Sequence, residues 1–411
     1  MCINHLKLVN KANKKLFKDE EPNIKIGATI KLKRKEQNKT LSEVSEKAGV
    51  SLSFISKIEN DQIKANLNHI KGILDDLDIN ETIFQTSQDM NKWYEDLLDY
   101  LLDLGDPNIS FKPITETRDD FQSKIIDLAV NIKLGYYGKS EQHITALITA
   151  IDTMKPIEVA IFLLIVSEYY YQSDDYFKAA DLLKIIIRKE FVHVKINLWL
   201  HEQLFKLALC SKNEHYVSKI FHNLQKMYLT YNLYGKSTEK RMEYIKYCAY
   251  IMDERFFKDL LSFDHHIEHQ HAQLLQLFLC QKLSLLKQSL EPFTGIDRFD
   301  LLFALYHHEM KQENLAKAYV EKLEDHAYDS PIEAFYKGYL KAYYVTKQSD
   351  IYLKGIIGNQ SKLFFHSSVI EIASKYYIDF LTDAHRYKDC TVAMKLANAH
   401  LNDIQKNLEI F

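Results

Sequence analysis

Residues 26–60 read IGATIKLKRKEQNKTLSEVSEKAGVSLSFISKIEN, and the punctuation of this stretch decides the fold. Ile26, Ile30 and Leu32 sit among Lys31, Lys33, Arg34 and Lys35, the pattern of one apolar stripe under a basic face. Thr40 precedes Glu43 by three residues. In that capping-box spacing the hydroxyl accepts from the Glu43 N–H and the carboxylate reaches back to the cap, so a helix is predicted from Leu41 to Lys47. Gly49 ends it, because glycine takes the left-handed conformation a sharp turn needs. Ser51 caps the next helix, Leu52 to Asn60, with Ile55 and Ile58 on its inner side, and Asn66 to Leu77 closes the bundle.

The rest of the chain is turn-poor. Only 11 glycines and 6 prolines occur in 411 residues, while 46% of the residues are hydrophobic and 27% charged. Sheets need frequent Gly and Pro at their corners, so an all-α protein is expected. Residues 1–64 hold 14 Lys/Arg against 8 Asp/Glu, whereas the whole chain has 53 against 56. A basic head on an acidic body points to a polyanion as partner of the head alone. Cys2, Cys210, Cys248, Cys280 and Cys390 lie far apart, as buried thiols of a reducing cytoplasm would. Val159 to Val166, an uninterrupted apolar run, is far short of a membrane span, and the lysine-rich start has no apolar core of signal-peptide length; no membrane association is expected.

Beyond residue 90 the chain reads as successive helices broken at Gly105–Pro107, Lys155-Pro156, Ser173–Asp175, Tyr234-Gly235 and Ser330-Pro331. Similar turns recur around Tyr176, Leu315, Ile351 and Tyr387, the residues expected to wedge each turn, with degenerate units near Tyr216 and Phe256, so stacked helical hairpins are predicted. The expected organisation is a basic arm over 1–23, a head over 24–80, a linker over 81–89 and a repeat body over 90–411.

The quoted stretch resembles the repressor-type helix-turn-helix of the phage-repressor and xenobiotic-response-element superfamily. Gly27, Ile30, Arg34, Thr40, Val44, Gly49, Val50, Ser51, Ile55, Ser56, Ile58 and Glu59 fall in its register. The resemblance implies double-stranded DNA as partner, with Leu52, Ser53, Phe54 and Lys57 at base-reading positions and Thr40, Leu41 and Asn60 at phosphate contacts; Ser51 and Ser56 complete the DNA-binding set. Leu41 stands where the family often has Gln, which leaves the helix N-terminal N–H for the phosphate. Leu52 and Phe54 offer apolar contacts that suit thymine methyls, hence an A·T-rich operator. Arg34 and Glu59 occupy positions the family pairs in a structural ion pair.

The segment VSEYYYQSDDYFKAADLLKIII (166–187) resembles the tetratricopeptide repeat, where a small residue such as Ser167 lets two helices approach. The resemblance implies a right-handed α-solenoid with a concave, peptide-binding surface. A head of the first kind on a body of the second resembles the cytosolic peptide-pheromone receptors of low-GC Gram-positive bacteria, the Rgg, PlcR and PrgX group. That implies a homodimeric quorum-sensing regulator with a short peptide ligand. In the repeat frame Glu168, Tyr171, Gln172, Tyr336, Tyr339 and Tyr343 would line the peptide site, although tyrosines at such spacing also pack between hairpins.

Catalysis is not expected: phosphate-cradling loops and a nucleophile elbow are absent from the sequence. DHHIEH (264–269) contains H-x-x-E-H, so His265, Glu268 and His269 form a remote zinc-hydrolase alternative, outweighed by a solvated helix start. No cofactor and no metal are expected. The nearer alternative is a helix-turn-helix regulator whose body binds a protein partner or only dimerises.

Overall fold

The computed structural model describes residues 3–17, 26–60, 62–63, 67–79, 87–104, 111, 120–138, 140–189, 191, 193–211, 213–250, 267–323, 328, 330–358 and 366–408. Every regular element among them is helical, as the scarcity of turn formers predicts. The chain divides into two compact units, Met1–Gln203 and Leu204–Phe411.

The first unit contains α1 (His5–Leu16), α2 (Ile26–Glu36), α3 (Leu41–Ala48), α4 (Leu52–Glu59), α5 (Leu67–Asp76), α6 (Ser87–Leu101), α7 (Phe121–Lys133), α8 (Ser140–Ala150), α9 (Pro156–Gln172) and α10 (Tyr176–Lys189); α11 (Val194–Ala208) crosses into the second unit. The arm expected over 1–23 is a helix where it is described: Leu8, Ala12 and Leu16 are fully buried, and α1 lies against α8, α9 and α10. Residues 18–23, and 81–86 of the expected linker, lie outside the described residues, while 87–89 open α6. The apolar run Val159–Val166 is buried throughout α9. Ser167 lets α9 and α10 approach closely, its hydroxyl donating to the Ala179 carbonyl at 3.3 Å, and buried Tyr176 stacks on Tyr171 with centroids 4.9 Å apart.

In the second unit α12 (Glu214–Thr230) and α13 (Tyr234–Tyr250) precede α14 (Ile267–Leu279), α15 (Leu283–Leu290), α16 (Asp300–Glu309), α17 (Glu313–Lys322), α18 (Pro331–Lys341), α19 (Ser349–Ile357), α20 (Ser367–Asp383) and α21 (Tyr387–Leu408). Alternate helices α14, α16, α18 and α20 pack in sequence, so hairpin stacks on hairpin over one core that includes Phe278, Phe299, Phe335 and Leu381. The last hairpin returns to the first elements of the unit: Ser367 N–H and Oγ donate to the Cys210 carbonyl at 3.1 Å, and Tyr216 OH donates to the Leu408 carbonyl at 3.1 Å. The wedge positions read at Leu315, Ile351 and Tyr387 need correcting. These side chains are exposed at the starts of their helices and fill no inter-helix gap. Close packing comes instead from residues such as Gly338, where an added Cβ would lie 2.2 Å from the Tyr352 hydroxyl.

The hairpin turns explain how so few glycines suffice. Asp174, Asn232, Gln281, Lys311, Lys347 and His385 all take left-handed backbone at the turn before a helix. The next N–H closes each turn on a carbonyl of the preceding helix, for example Asp175 N to Tyr170 O and Arg386 N to Leu381 O, both at 2.8 Å. Polar side chains tolerate this conformation at a cost of about 1 kcal/mol relative to glycine.

His366, the N-cap of α20, gives the second unit a pH dependence. Burial pushes its imidazole from the ordinary 6.5 down to about 4. A histidine with a lower pKa in the folded state binds its proton first in the unfolded chain, so its contribution is complete above the unfolded value and is lost as pH falls toward the folded one. The stability difference between pH 7 and pH 4.5 should exceed that of His366→Gln by about 2 to 3 kcal/mol. Chemical denaturation of both proteins at the two pH values measures this, and equal pH dependences would contradict it.

Candidate nucleic-acid interface

The head is built as its sequence dictates. Thr40 N–H donates to Glu43 Oε2 at 2.6 Å and Glu43 N–H to Thr40 Oγ1 at 3.2 Å, completing the capping box of α3. The hydrogen bonds from the Thr40 backbone and side chain hold the Glu43 carboxyl below the usual range. Gly49 takes φ of +66° and its N–H donates to the Ser45 carbonyl, after which Ser51 Oγ accepts from Phe54 N–H at 3.1 Å and starts α4. Ile55 and Ile58 of α4 enter a core with Ile30, Val44, Ile70, Ile73, Leu74 and Leu77. At Gly72 an added Cβ would stand 3.1 Å from the Ala48 carbonyl oxygen, so glycine lets α5 cross the end of α3.

Arg34 and Glu59 are 5% and 4% exposed at their side chains. Arg34 Nε donates to Glu59 Oε1 at 2.6 Å and Nη2 to Oε2 at 2.9 Å, a bidentate pair, while Nη1 donates to the Lys39 carbonyl at 2.9 Å. Both oxygens and three guanidinium nitrogens are thereby used, which fixes α4 on α2.

On the outer side, Ser51, Leu52, Ser53, Lys57 and Asn60 are exposed, and so is Thr40 at the start of α3. Phe54 and Leu41 are half-buried and pack against the core, so each presents only part of its surface outward. Ser56 is half-buried, and its carbonyl accepts from Asn60 Nδ2 at 2.8 Å. The protruding surface is one helix two turns long, backed by a fixed core. That is the shape and polarity a major groove admits.

Residues 30–84 match the helix-turn-helix family. The head is therefore a DNA-binding module of the repressor type, and the protein a transcription regulator. No curated protein and no solved structure matches the chain.

The geometry adds residues that the sequence reading passed over. Lys31, read only as part of a basic face, donates to Asn60 Oδ1 at 3.2 Å and so ties α2 to the C-cap of α4. Burial first, and then the charge of Lys11, lower its pKa. Ile30 and Leu32 do not share the single stripe expected of them. Ile30 enters the head core, whereas Leu32 and Thr29 are buried on other faces of α2, which packs against α7 and α8. Lys124 of α7 also pairs with Glu36 of α2 at 2.5 Å. One helix thus serves the head and the adjoining hairpin at once.

The residues expected to hold a peptide fall in two separate units. In the first, Glu168, Tyr171 and Gln172 are half-buried on α9, and Gln172 Nε2 donates to Glu168 Oε1 at 3.0 Å. In the second, Tyr336 and Tyr339 are buried, and Tyr343 is exposed within a π-helical turn over Ala342–Thr346. Tyr336 and Tyr339 pack on Tyr376, whose hydroxyl donates to Glu309 Oε1 at 2.9 Å. They therefore contribute mainly to packing between α18 and α20. A cavity of about 550 Å³ lies elsewhere in this unit, between α19, α20 and α21, with Ile351, Tyr377, Arg386, Val392 and Leu396 in its wall.

His265 and the side chains of Glu268 and His269 lie outside the described residues. Among those described, no group of three His, Cys, Asp or Glu side chains could hold a metal ion, and no helix is long and apolar enough to cross a membrane.

Proposed function

We propose that this regulator is a cytoplasmic, homodimeric peptide receptor of the Rgg, PlcR and PrgX kind, in which a short signalling peptide bound by the helical body changes the placement of the DNA-binding heads. The observation that carries the reading is the double duty of α2. Its Ile30 and Arg34 hold the recognition helix, and its Glu36 pairs with Lys124 of the adjoining hairpin, against which α2 packs. A change in the body's packing would then be felt at α4 without passing through a slack linker. The peptide must prefer one arrangement of the body, and a differential of about 1 to 3 kcal/mol suffices for a regulatory effect. Within this reading the head spans 24–80 and the body 90–411, and Thr40, Leu41, Ser51, Leu52, Ser53, Phe54, Ser56, Lys57 and Asn60 face an A·T-rich operator. Glu168, Tyr171, Gln172 and Tyr343 remain candidates for peptide contact.

A second reading has a specific observation in its favour: Ile351 on α19 and Tyr387, Val392 and Leu396 on α21 are exposed apolar side chains. A body that docks a protein or a second copy through this surface, with no peptide, would account for them. Mobility shift with the chain's own upstream DNA, with and without synthetic peptides encoded by neighbouring small open reading frames, decides between the two. The peptide reading expects one peptide to shift the apparent affinity by about 5- to 150-fold. Shifts that no peptide alters favour the second reading.

A further inference from the structure

We infer that α1 is a second phosphate-binding element, which extends the DNA contact of the head onto the backbone flanking the sequence read by α4. The inference rests on the DNA-binding reading of the head and goes beyond it.

The helix sequence HLKLVNKANKKL carries Lys7, Lys11, Lys14 and Lys15 and no acidic residue. It is anchored by Leu8, Ala12 and Leu16, and its N-terminus is capped by the Asn4 side chain, which accepts from Lys7 N–H at 2.9 Å. Its lysines are therefore presented from a fixed helix and not from a loose tail. Lys7, Lys11 and Lys14, at i, i+4 and i+7, share one face. Lys11 is the half-buried centre of that face and pairs with Asp152 at 2.5 Å, while Lys15 donates to the Asp152 carbonyl at 2.8 Å. Lys7 and Lys14 flank Lys11, and both are exposed, as is Asn10 between them.

Position decides what this face is for. Lys11 pairs with Asp152 of the turn Ile151–Thr153, against which α2 also packs, and on α2 Lys31 donates to Asn60 at the end of α4. Cationic groups thus run from Lys57 on the recognition helix, through Lys31, to Lys11 and its two exposed neighbours. Among the described residues the nearby carboxylates are already engaged, Glu59 by Arg34, Asp152 by Lys11 and Asp181 by His5 and Lys184. From Lys7 to Lys14 the helix advances about 10 Å, enough to follow roughly three phosphates of one strand. Ammonium groups contact phosphates as point charges without reading bases, so α1 would add affinity and salt sensitivity but no sequence preference.

The test uses the full chain carrying K7Q/K14Q. Glutamine is a good helix former and both sites are exposed, so unchanged thermal melting should show that α1 remains folded. Fluorescence anisotropy is followed through a salt titration on two labelled duplexes, one recovered by in vitro selection with the wild-type protein and one of mixed sequence. The expected result is a plot of log affinity against log salt flattened by about 1.8, or about 0.9 per phosphate, with roughly ten-fold weaker binding on both duplexes and an unchanged ratio between them. A slope and affinity equal to wild type, or a loss confined to the selected duplex, would overturn the inference while the reading of α4 stands. Wild-type protein that binds neither duplex would overturn both.

Discussion

Replacing Glu59 by alanine is expected to cost about 3 to 5 kcal/mol in urea denaturation, one of the largest single-residue effects in the head. The carboxylate is almost fully enclosed and receives both Arg34 Nε and Nη2. Its removal leaves a guanidinium with no water to replace those two acceptors, and the lost hydration, more than the lost attraction, sets the cost. Arg34→Ala should be similarly severe, because it strands the carboxylate and also frees the Lys39 carbonyl. Arg34→Met combined with Glu59→Leu should recover much of the loss, since a buried pair replaced by apolar side chains leaves no uncompensated charge. A cost below about 1 kcal/mol for Glu59→Ala would mean that the pair is hydrated in solution and does not hold α4 in place.

The second large effect should be in binding. Lys57→Glu is expected to weaken affinity for a selected duplex by about 100-fold or more while leaving stability within about 0.5 kcal/mol. Lys57 is exposed on the outer side of α4, so reversing its charge disturbs no core contact and turns an attraction to DNA into a repulsion. Anisotropy and urea denaturation on the same preparations separate the two quantities. A comparable loss of folding stability would move Lys57 from the recognition surface into the support of the head. Unchanged affinity would remove α4 from the groove.

The head was legible because its signals are local. The Thr40–Glu43 box, the Gly49 turn and the Ser51 cap each rest on a fixed spacing within one short segment, and each is present with the expected hydrogen bonds; the Arg34–Glu59 pair, which spans two helices, was expected only from the family resemblance. The assignment of Ile30 and Leu32 to one stripe failed because α2 is covered on more than one side. Spacing places residues around a helix but does not say how many neighbours the helix has. In the body the turns expected around Leu315, Ile351 and Tyr387 are present, but these residues do not wedge them. Each hairpin is closed by left-handed backbone at Lys311, Lys347 and His385, a conformation that residue type does not announce, and Leu315, Ile351 and Tyr387 are left exposed. Tyr336 and Tyr339 are instead buried. Their i, i+3 spacing describes a face correctly, but only the packing of α20 through Tyr376 shows that the face is occupied. The lysines of α1 could have been found from their i, i+4, i+7 pattern, but not the pairing of Lys11 with Asp152, which depends on where α1 docks.

The claim on which the rest depends is that α4 enters DNA with its phosphate contacts made by the head. The salt dependence of full-length protein binding to a duplex obtained by in vitro selection tests it most directly. Four or more phosphate contacts predict a linear decline of log affinity with log salt at a slope of about −3.6 or steeper, and the slope should become shallower in Lys57→Glu. Affinity that does not respond to salt, or a slope identical in Lys57→Glu, would contradict it.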